Sequence, residues 1–267
     1  GIRRRGYPSA AMRAFCADIG VTKTDSLIDI GRLENAVREN LNASAPRTMA
    51  VLRPLKVTIE NWPEGTEETL DYVTHPESAE SGRRKVKFGR TIYIEREDFM
   101  EVPAKKFFRL APGQEVRLRW AYFIRCTGVV KDDAGNVIEV RATYDPATKG
   151  GDAPVGPDGA PTRKVKGTLH WISAAHAVRA EVRLFDRLFT AEEPGKRTGN
   201  WADDLNPTSL ETVEAWVDPV HRGDAPGTTY QFERLGYFTV DPDSTRERPV
   251  FNRTVSLKDA WAKEAGK

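Results

Sequence analysis

The chain has 267 residues, with 30% charged and 39% hydrophobic side chains and a formal net charge of only +2. Its length allows one large or two smaller domains with a sizeable core, and its small net charge predicts little sequence-independent affinity for polyanions. It has neither an apolar run of the ~18–20 residues that span a bilayer nor, at its basic N-terminus, the apolar segment of a signal peptide, so we expect no membrane role.

The first 48 residues predict two helices. Pro8 suits the first turn of a helix that ends at Gly20. The second helix carries apolar residues spaced by three and four positions, a pattern that predicts a core-facing stripe. Its members are Ile30, Leu33, Val37 and Leu41. The loop between the helices is polar, and we expect it to expose Lys23.

Beyond Pro46, short segments with alternating polarity predict β-strands. They are residues 50–52, 55–59, 90–94, 115–122 and 137–144. The sequence DDAGN at 132–136 predicts a hairpin turn in which Gly135 is free to take a positive φ. Many short strands at close spacing are typical of barrels and sandwiches. We therefore predict a mainly β fold with an N-terminal α-helical subdomain.

The chain contains none of the short motifs of common catalytic or metal centres. A glycine-rich phosphate loop, a Cys-x-x-Cys pair and a His-Glu-x-x-His motif are all absent, and the four histidines show no ligand spacing. We therefore predict no catalytic residue and no metal site. The two cysteines, Cys16 and Cys126, are far apart, which favours free thiols in a reducing cytoplasm. Without an initiator methionine, the chain is either processed or, as we expect, a piece of a longer protein.

Arginines on predicted strands are candidates for binding RNA. Arg117 and Arg119 are two residues apart, so both project from one face of a strand. Arg109 lies upstream of a Pro-Gly turn and is expected on the neighbouring strand. Guanidinium groups held on rigid strands are suited to the edges of unstacked bases. A salt-bridged sheet face with Glu115 as the partner explains the same pattern, and both interpretations stay open.

The last third of the chain offers a second set of polar residues on alternating strands. Gln231 and Arg234 lie among aromatic residues, and such a pair can bond a base edge while a ring stacks on the base. The alternative, which we favour for the aromatic residues themselves, is that these rings form the core of a barrel. Arg47 lies at the junction between helices and strands, where it is either a contact or a structural tether.

Longer segments resemble bacterial glutaminyl-tRNA synthetase in register over nearly the whole chain. They are GIRRRGYPSAAMRAFCADIGVTK, NASAPRTMAVLRPLKVTIEN, RKVKGTLHWISAAHA, EVRLFDRLF, FERLGYF and PVFNRTVSLKDAW. The resemblance covers the part of that class I ligase that follows its ATP-binding signature loop, and the HIGH-type and MSK-type motifs are absent here. It implies a C-terminal half without the ATP, Mg or glutamine site, whose partners are tRNA(Gln) and the enzyme's own N-terminal catalytic domain. It also implies a cytoplasmic monomer.

The resemblance further implies a division into subdomains. Residues 1–48 would form a helical subdomain at the inner corner of the tRNA, with Lys23 as a contact. Residues 49–88 and 170–267 would form a proximal β-barrel, and residues 89–169 a distal barrel inserted into it, both of the anticodon-binding type found also in ribosomal protein L25. We expect the two barrels to clasp the anticodon loop.

The family places each anticodon base in its own pocket, and the matching residues can be carried over individually. The pocket for the central uridine matches Arg47, Gln231 and Arg234. The third base matches Arg109, and the first base matches Arg117 and Arg119. The sequence departs from the family pattern nearby: Lys106, Phe108 and Trp120 stand where some members have glutamine, lysine and asparagine.

Three other interpretations remain. A glutamyl-tRNA synthetase with β-barrel anticodon domains would share the fold and bind a different anticodon set. A stand-alone barrel protein that binds ribosomal RNA is disfavoured by the N-terminal helices and the second barrel. A free-standing enzyme with an unrecognised carboxylate site is disfavoured because the sequence shows no convergent acid–base cluster.

Overall fold

The computed structural model describes residues 1–75 and 82–258, so residues 76–81 and 259–267 of the predicted barrels lie outside it. Its helices are α1 Ser9–Ile19 and α2 Ile30–Ser44. Its strands are β1 Arg47–Thr48, β2 Ala50–Val51, β3 Pro54–Ile59, β4 Glu67–Val73, β5 Arg83–Gly89, β6 Thr91–Glu95, β7 Glu115–Leu118, β8 Phe123–Lys131, β9 Val137–Asp145, β10 Thr168–Leu169, β11 Ile172–Ser173, β12 Val178–Phe185, β13 Leu210–Val217, β14 Thr229–Phe232, β15 Gly236–Val240 and β16 Val250–Ser256.

Helix α1 ends at Gly20, as predicted, and α2 begins after a capping aspartate. Pro8 precedes α1 in an extended conformation, and Gly20 ends it at φ 69°, with its N–H donating to the carbonyl oxygen of Cys16. At the start of α2 the carboxylate of Asp29 accepts from the N–H of Gly31. The stripe Leu33, Val37 and Leu41 is buried, as predicted. Ile30 is 44% exposed, so its inclusion in the stripe was wrong: it is the first residue of the helix, and Gly31 is buried beside it.

The chain forms two compact units. The first consists of Gly1–Pro46, Ala180–Glu214 and the residues from Arg222 onward, and the second of Arg47–Arg179 and Ala215–His221. The second unit therefore interrupts the first along the sequence. This arrangement of two barrel-like sheets preceded by two helices confirms the predicted mainly β fold class.

The observed division differs from the predicted subdomain boundaries. Residues 49–88 were grouped with 170–267, yet they belong to the same unit as residues 89–169. The reason is strand pairing: β3 lies between β6, which it meets antiparallel, and β9, which it meets in parallel. The helices of residues 1–46, in turn, belong to the first unit, together with β14, β15 and β16.

The sheet of the second unit has the strand order β10-β7-β8-β9-β3-β6-β11. Alternating apolar side chains from these strands form one core, whose central members are Leu55, Val57, Ile92, Ile94, Val116, Leu118, Ile124 and Val140. A separate hairpin pairs β4 with β5, and the last residues of β13 pair with β2. The 132–136 turn joins β8 to β9 with Gly135 at φ 83°, which confirms the predicted hairpin.

In the first unit the strands run in the order β14-β15-β16-β12-β13. The rings of Phe232 and Phe238 stack at 4.4 Å with no exposed surface, and Phe251 meets Phe232 edge-on. These aromatic side chains are core residues, as expected. Two further residues of β15 and β16, Tyr237 and Val255, pack against the buried stripe of α2.

An arginine–carboxylate network joins the N-terminal segment to this sheet. Asp241 is fully buried and accepts two hydrogen bonds from the guanidinium of Arg4, at 2.8 and 2.7 Å. It also accepts from the N–H of Asp243 and from the amide of Asn252, while Arg183 lies 3.2 Å away. Burial alone would raise the pKa of Asp241, but these bonds to its charged form outweigh burial and hold the pKa far below the ordinary range.

Across residues 1–75 and 82–258, neither helix has the length and apolar character that crossing a membrane would require.

Candidate nucleic-acid interface

The strand β7 presents one buried and one outer face. Val116 and Leu118 have no exposed surface, whereas Glu115 and Arg117 are half-buried. The edge strand β10 pairs with β7 in parallel, with Thr168 opposite Arg117. The alternation confirms that Arg117 points away from the core.

The strand ends sooner than predicted. It stops at Leu118, because the chain turns there: Ala121 N–H donates to the Leu118 carbonyl, and Trp120 adopts the left-handed conformation at φ 60°. The predicted strand to residue 122 is therefore wrong. Arg119 lies at this turn, where its N–H donates to the Leu169 carbonyl and its guanidinium lies 4.7 Å from the centroid of the Trp120 ring. Trp120 is only partly buried against the core.

Glu115 is held by an arginine that the sequence did not single out. Arg163 donates two hydrogen bonds to Glu115, at 2.8 and 3.1 Å, and a third to Asp145 at 2.5 Å. The bond from Arg163 is the main reason that the pKa of Asp145 lies below its ordinary value. The predicted salt-bridged face therefore exists, but its arginine is Arg163 rather than Arg117.

Arg117 keeps a guanidinium group with only a weak partner. Its Nη1 lies 3.7 Å from the carboxylate of Asp152, whose side chain is 86% exposed, and exposed ion pairs at such distances contribute little. Its Nε is buried and has no hydrogen-bond partner in the part of the chain that the structure describes. The side-chain stem lies beneath Gly151, and the charged end lies 5.6 Å from the ring centroid of Phe123. The group can therefore donate to a ligand.

The prediction that Arg109 lies on a strand beside β7 is wrong, because the neighbours of β7 are β8 and β10. It belongs to the preceding loop, where its Nη1 donates to the carbonyl oxygen of Glu97 and its Nε lies 3.3 Å from the buried carboxylate of Asp98. Its side chain stays 45% exposed. One edge of the guanidinium is thus fixed by the protein while the remainder faces solvent.

A close backbone contact brings this loop to the edge of β7. Gly167 accepts a hydrogen bond from the N–H of Arg117, and a Cβ on Gly167 would lie 2.0 Å from the carbonyl oxygen of Phe108. Only glycine allows this approach. Phe108 and Arg109 consequently lie beside the strand that carries Arg117, and the ring of Phe108 is 50% exposed with the ammonium of Lys166 at 4.5 Å.

In the first unit, Gln231 and Arg234 lie on the β14–β15 hairpin. Gln231 is 9% exposed, and its side-chain amide donates to the hydroxyl of Tyr237, which in turn donates to Asn42. Its backbone N–H donates to the carbonyl of Pro46. Arg234 is an exposed residue of the hairpin turn and takes the left-handed conformation at φ 67°. Gln231 is therefore fixed in position, and Arg234 stands at the tip of a rigid turn.

Arg47 and Lys23 lie in different surroundings. Arg47 is half-buried in β1, and its N–H donates to the carbonyl of Thr74. The adjacent Thr48 is anchored by His221 and Arg84, each 3.0 Å from its hydroxyl. Lys23 is exposed in the loop between the helices, as predicted.

The histidines and cysteines do not form a common catalytic or metal-binding centre among the described residues. His170 lies 3.5 Å from Glu95, and His176 lies 2.7 Å from Glu67. Within residues 1–75 and 82–258, no three His, Cys, Asp or Glu side chains converge as metal ligands would. Cys16 and Cys126 are both free thiols.

Sequence reasoning missed Arg163, Lys166 and Gly167. All three lie in the segment RKVKG, whose density of cations is visible in the sequence but whose pairing with β7 is not. The parallel register of β10 and β7 places this segment beside Arg117, over forty residues away along the chain, and no local pattern predicts it.

Comparisons with known proteins agree with these features. Two family models match, each described as the anticodon-binding domain of class I tRNA synthetases (E and Q), over residues 45–145 and 168–241. The chain is 56% identical over 99% of its length to a glutamine–tRNA ligase of Nitrobacter hamburgensis, covering 46% of that protein.

Similar ligases from Bradyrhizobium diazoefficiens and Rhodopirellula baltica are 53% and 52% identical, over 100% and 98% of the chain. The chain covers 47% and 43% of these two relatives, so it spans about half the length of the curated proteins that it matches. The two family models together include β1 to β9 and most of the strands that follow β9. The chain therefore belongs to the family of anticodon-binding domains of the class I tRNA synthetases for glutamate and glutamine.

Proposed function

We propose that this chain recognises the anticodon of tRNA(Gln) as the anticodon-binding part of a glutamine–tRNA ligase. The proposal rests on the outer face of β7. There Glu115 accepts hydrogen bonds from Arg163, so the guanidinium group of Arg117 is available to a ligand. An arginine on a rigid strand can bond the edge of an unstacked base in two places. In this proposal the first unit is the proximal barrel and the second unit the distal barrel.

Within the second unit we assign two of the three anticodon bases. Arg117 and Arg119 would bind the first base, and Arg109 the third. The supporting geometry is that the Phe108–Gly167 contact brings the Arg109 loop to the edge of β7. Asp98 and the Glu97 carbonyl hold one edge of the Arg109 guanidinium, which lowers the entropy that this side chain loses when it binds a base.

We assign the central uridine to Arg47, Gln231 and Arg234, on the strength of the family resemblance. Two features support the assignment. The Gln231 amide is oriented by Tyr237, and Arg234 is exposed on a tight turn. Lys23, on the exposed loop between the helices, is proposed to contact the inner corner of the tRNA.

The energetics favour recognition of bases over attraction of the phosphate backbone. Splaying out a base costs a few kcal/mol, while a base stack or a bidentate contact returns about 1–3 kcal/mol each. The net charge of only +2 supplies little general attraction to RNA. Binding by this chain should therefore depend strongly on the identity of the anticodon bases.

The remaining activity belongs to the whole ligase and is likewise a proposal. It joins glutamine to tRNA(Gln) with ATP and Mg in a catalytic domain that precedes these units, in a cytoplasmic and monomeric protein. The names of the relatives and the chain's coverage of about half their length support this proposal. We assign no ATP, Mg or glutamine site to the residues of this chain.

The central test compares binding of the chain to tRNA(Gln) and to the same tRNA with its central anticodon uridine changed, at fixed salt concentration. We expect a loss of about 1–3 kcal/mol for the altered tRNA. Arg234→Ala should cause a similar loss with the unaltered tRNA and no further loss with the altered one. Arg246→Ala, which removes an exposed arginine from a turn elsewhere in the first unit, is the matched control and should bind normally.

Equal binding of both tRNAs would overturn the proposal. A further arm separates the glutaminyl from the glutamyl interpretation, because the two anticodons share the central uridine and differ at the third base. We expect the wild-type chain to prefer tRNA(Gln) over tRNA(Glu), and Arg109→Ala to reduce that preference. A preference for tRNA(Glu) would support the glutamyl alternative.

A further inference from the structure

The ring of Phe108 is the most exposed aromatic surface beside the proposed RNA-binding arginines. It is 50% exposed and is not a member of the core of the second unit. Burying a phenylalanine ring is favourable by about 1.5–3 kcal/mol, so the exposed ring forgoes a contribution that a core position would supply. Its backbone cannot relax inward, because the Phe108 carbonyl is in contact with Gly167.

The surroundings of this ring are cationic. The Lys166 ammonium lies 4.5 Å from the ring centroid, within the range of a cation–π contact. Arg109 is the next residue, with a side chain that is 45% exposed. Lys106, two residues before Phe108, is also exposed and takes the left-handed conformation at φ 68°. In this loop the carboxylate of Asp98 is buried and already faces Arg109, and that of Glu101 pairs with Lys131 at 2.8 Å.

An exposed ring with cations on both sides along the chain has the composition of a site for a single-stranded nucleotide. The π-face can stack on any base, and an ammonium group beside it can neutralise the adjoining phosphate. An apolar protein partner would fit less well, since it would bury Lys166 and Arg109 without compensating charges.

We propose that Phe108 and Lys166 form a stacking site for one unpaired nucleobase of the bound RNA, with the ring against the base and the ammonium against a neighbouring phosphate. The inference rests on the proposed function, which supplies the RNA, and adds a contact that depends on stacking rather than on base edges. Arg109, directly after Phe108, would then bond the edge of the same base. Phe108 would thus increase the affinity for the RNA, and the base edge would be read by Arg109.

The test measures binding of the full chain to hairpin RNAs that carry the anticodon loop of tRNA(Gln), with each loop nucleotide replaced in turn by an abasic one. Phe108→Leu, which removes the ring but keeps an apolar side chain, should weaken binding to the intact hairpin by about 5- to 150-fold, the range for one lost base stack. Phe108→Tyr should bind normally. Trp201→Leu, a change at another exposed aromatic residue (59% exposed) in the first unit, is the matched control.

Combining the Phe108→Leu variant with each abasic hairpin shows whether the ring stacks on one particular base. At the abasic position that corresponds to the stacked base, Phe108→Leu should have no further effect, whereas at the other loop positions its effect should persist. Lys166→Gln should reduce the slope of log Kd against log salt by about one unit, as the loss of one phosphate contact does. Unchanged thermal unfolding would exclude a folding defect in the Leu variant.

Two results would overturn the inference. One is a Phe108→Leu variant that binds the intact hairpin as tightly as the wild type does. The other is a loss of affinity that is equal on every abasic hairpin, which would indicate a structural role. If the wild-type chain still discriminates the central uridine in either case, the proposed function stands without this site; if it does not, the proposed function itself fails.

Discussion

In the first unit, Asp241 carries a buried charge that accepts several hydrogen bonds. Four donors reach its carboxylate, two of them from one guanidinium, and its side chain has no exposed surface. Removing one partner of such a group is costly because the remaining charges lose their compensation. Arg4 is half-exposed, so part of that cost is relieved by water.

We predict that Asp241→Asn lowers the free energy of unfolding by about 2–3 kcal/mol at pH 7, below the range for fully buried pairs. The folded-state pKa of Asp241 is depressed, so the stabilisation by its charge is complete above the ordinary carboxyl pKa of about 4. It disappears as the pH falls through the lower, folded pKa.

Urea midpoints of the wild type and the variant at several pH values from 7 downward check this prediction. The difference between them should be constant down to about pH 5 and should shrink below about pH 4. Other carboxylates with lowered pKa values, such as Asp145 and Glu139, contribute equally to the stability of both proteins, so their contributions cancel in the difference. A difference that grows with acid would contradict the assignment.

Among the structural elements, β7 shows how neighbouring strands decide the availability of a side chain. Glu115 and Arg117 share the outer face, and the sequence alone allows them to pair. The segment before β10 supplies Arg163, which donates hydrogen bonds to Glu115 in place of Arg117. The availability of Arg117 is therefore determined by a residue from a different segment of the chain.

We predict that Arg163→Met weakens binding of the anticodon-loop hairpin, because the released Glu115 can then pair with Arg117. The expected loss is about 1.4- to 5-fold, which corresponds to the ~0.2–1 kcal/mol contributed by one exposed ion pair. The double variant Glu115→Gln with Arg163→Met should regain the wild-type affinity, and Arg163→Lys should bind almost normally. If the double variant binds no better than Arg163→Met, competition for Glu115 is not the cause.

Elements with a strong local pattern were predictable, and elements that depend on distant pairing were not. The helix end at Gly20 and the turn at Gly135 follow from glycine's access to positive φ. The early end of β7 does not, since Trp120 takes a left-handed conformation that is unfavourable for a bulky side chain.

The candidate site shows the same division. The outward projection of Arg117 was correctly predicted from the period of two. The position of Arg109 was wrong because its loop is fixed by contact with Gly167, far along the chain. The grouping of residues 49–88 was wrong for a related reason: β3 joins its sheet through a parallel pairing with β9, which has no local sequence pattern.

On the scale of the whole molecule, each unit contains one cysteine. Cys16 in the first unit is exposed, whereas Cys126 in the second is buried, and burial raises the pKa of the Cys126 thiol. A buried thiol with a raised pKa reacts slowly, because the thiolate is the reactive form.

We predict that a thiol reagent at pH 8 labels one cysteine of the native protein rapidly and the second only after unfolding. In a Cys16→Ser variant, labelling of Cys126 as a function of urea concentration would report the opening of the second unit by itself. The rate should be limited by opening in the native protein and should approach that of a free thiol in denaturant. Rapid labelling of both cysteines without denaturant would contradict the burial of Cys126.

The interruption of the first unit by the second also has a consequence during translation. The helices α1 and α2 are synthesised before strands β15 and β16, but their buried stripe packs against Tyr237 and Val255 of those strands. The ribosome must therefore add the roughly 190 residues between Ser44 and Gly236 before the partners of that stripe exist. At about 5–20 residues per second, this takes on the order of 10–40 s. During that interval Leu33, Val37 and Leu41 on the nascent chain lack the part of their native cover that Tyr237 and Val255 supply, and such exposed apolar surface favours aggregation or binding by chaperones.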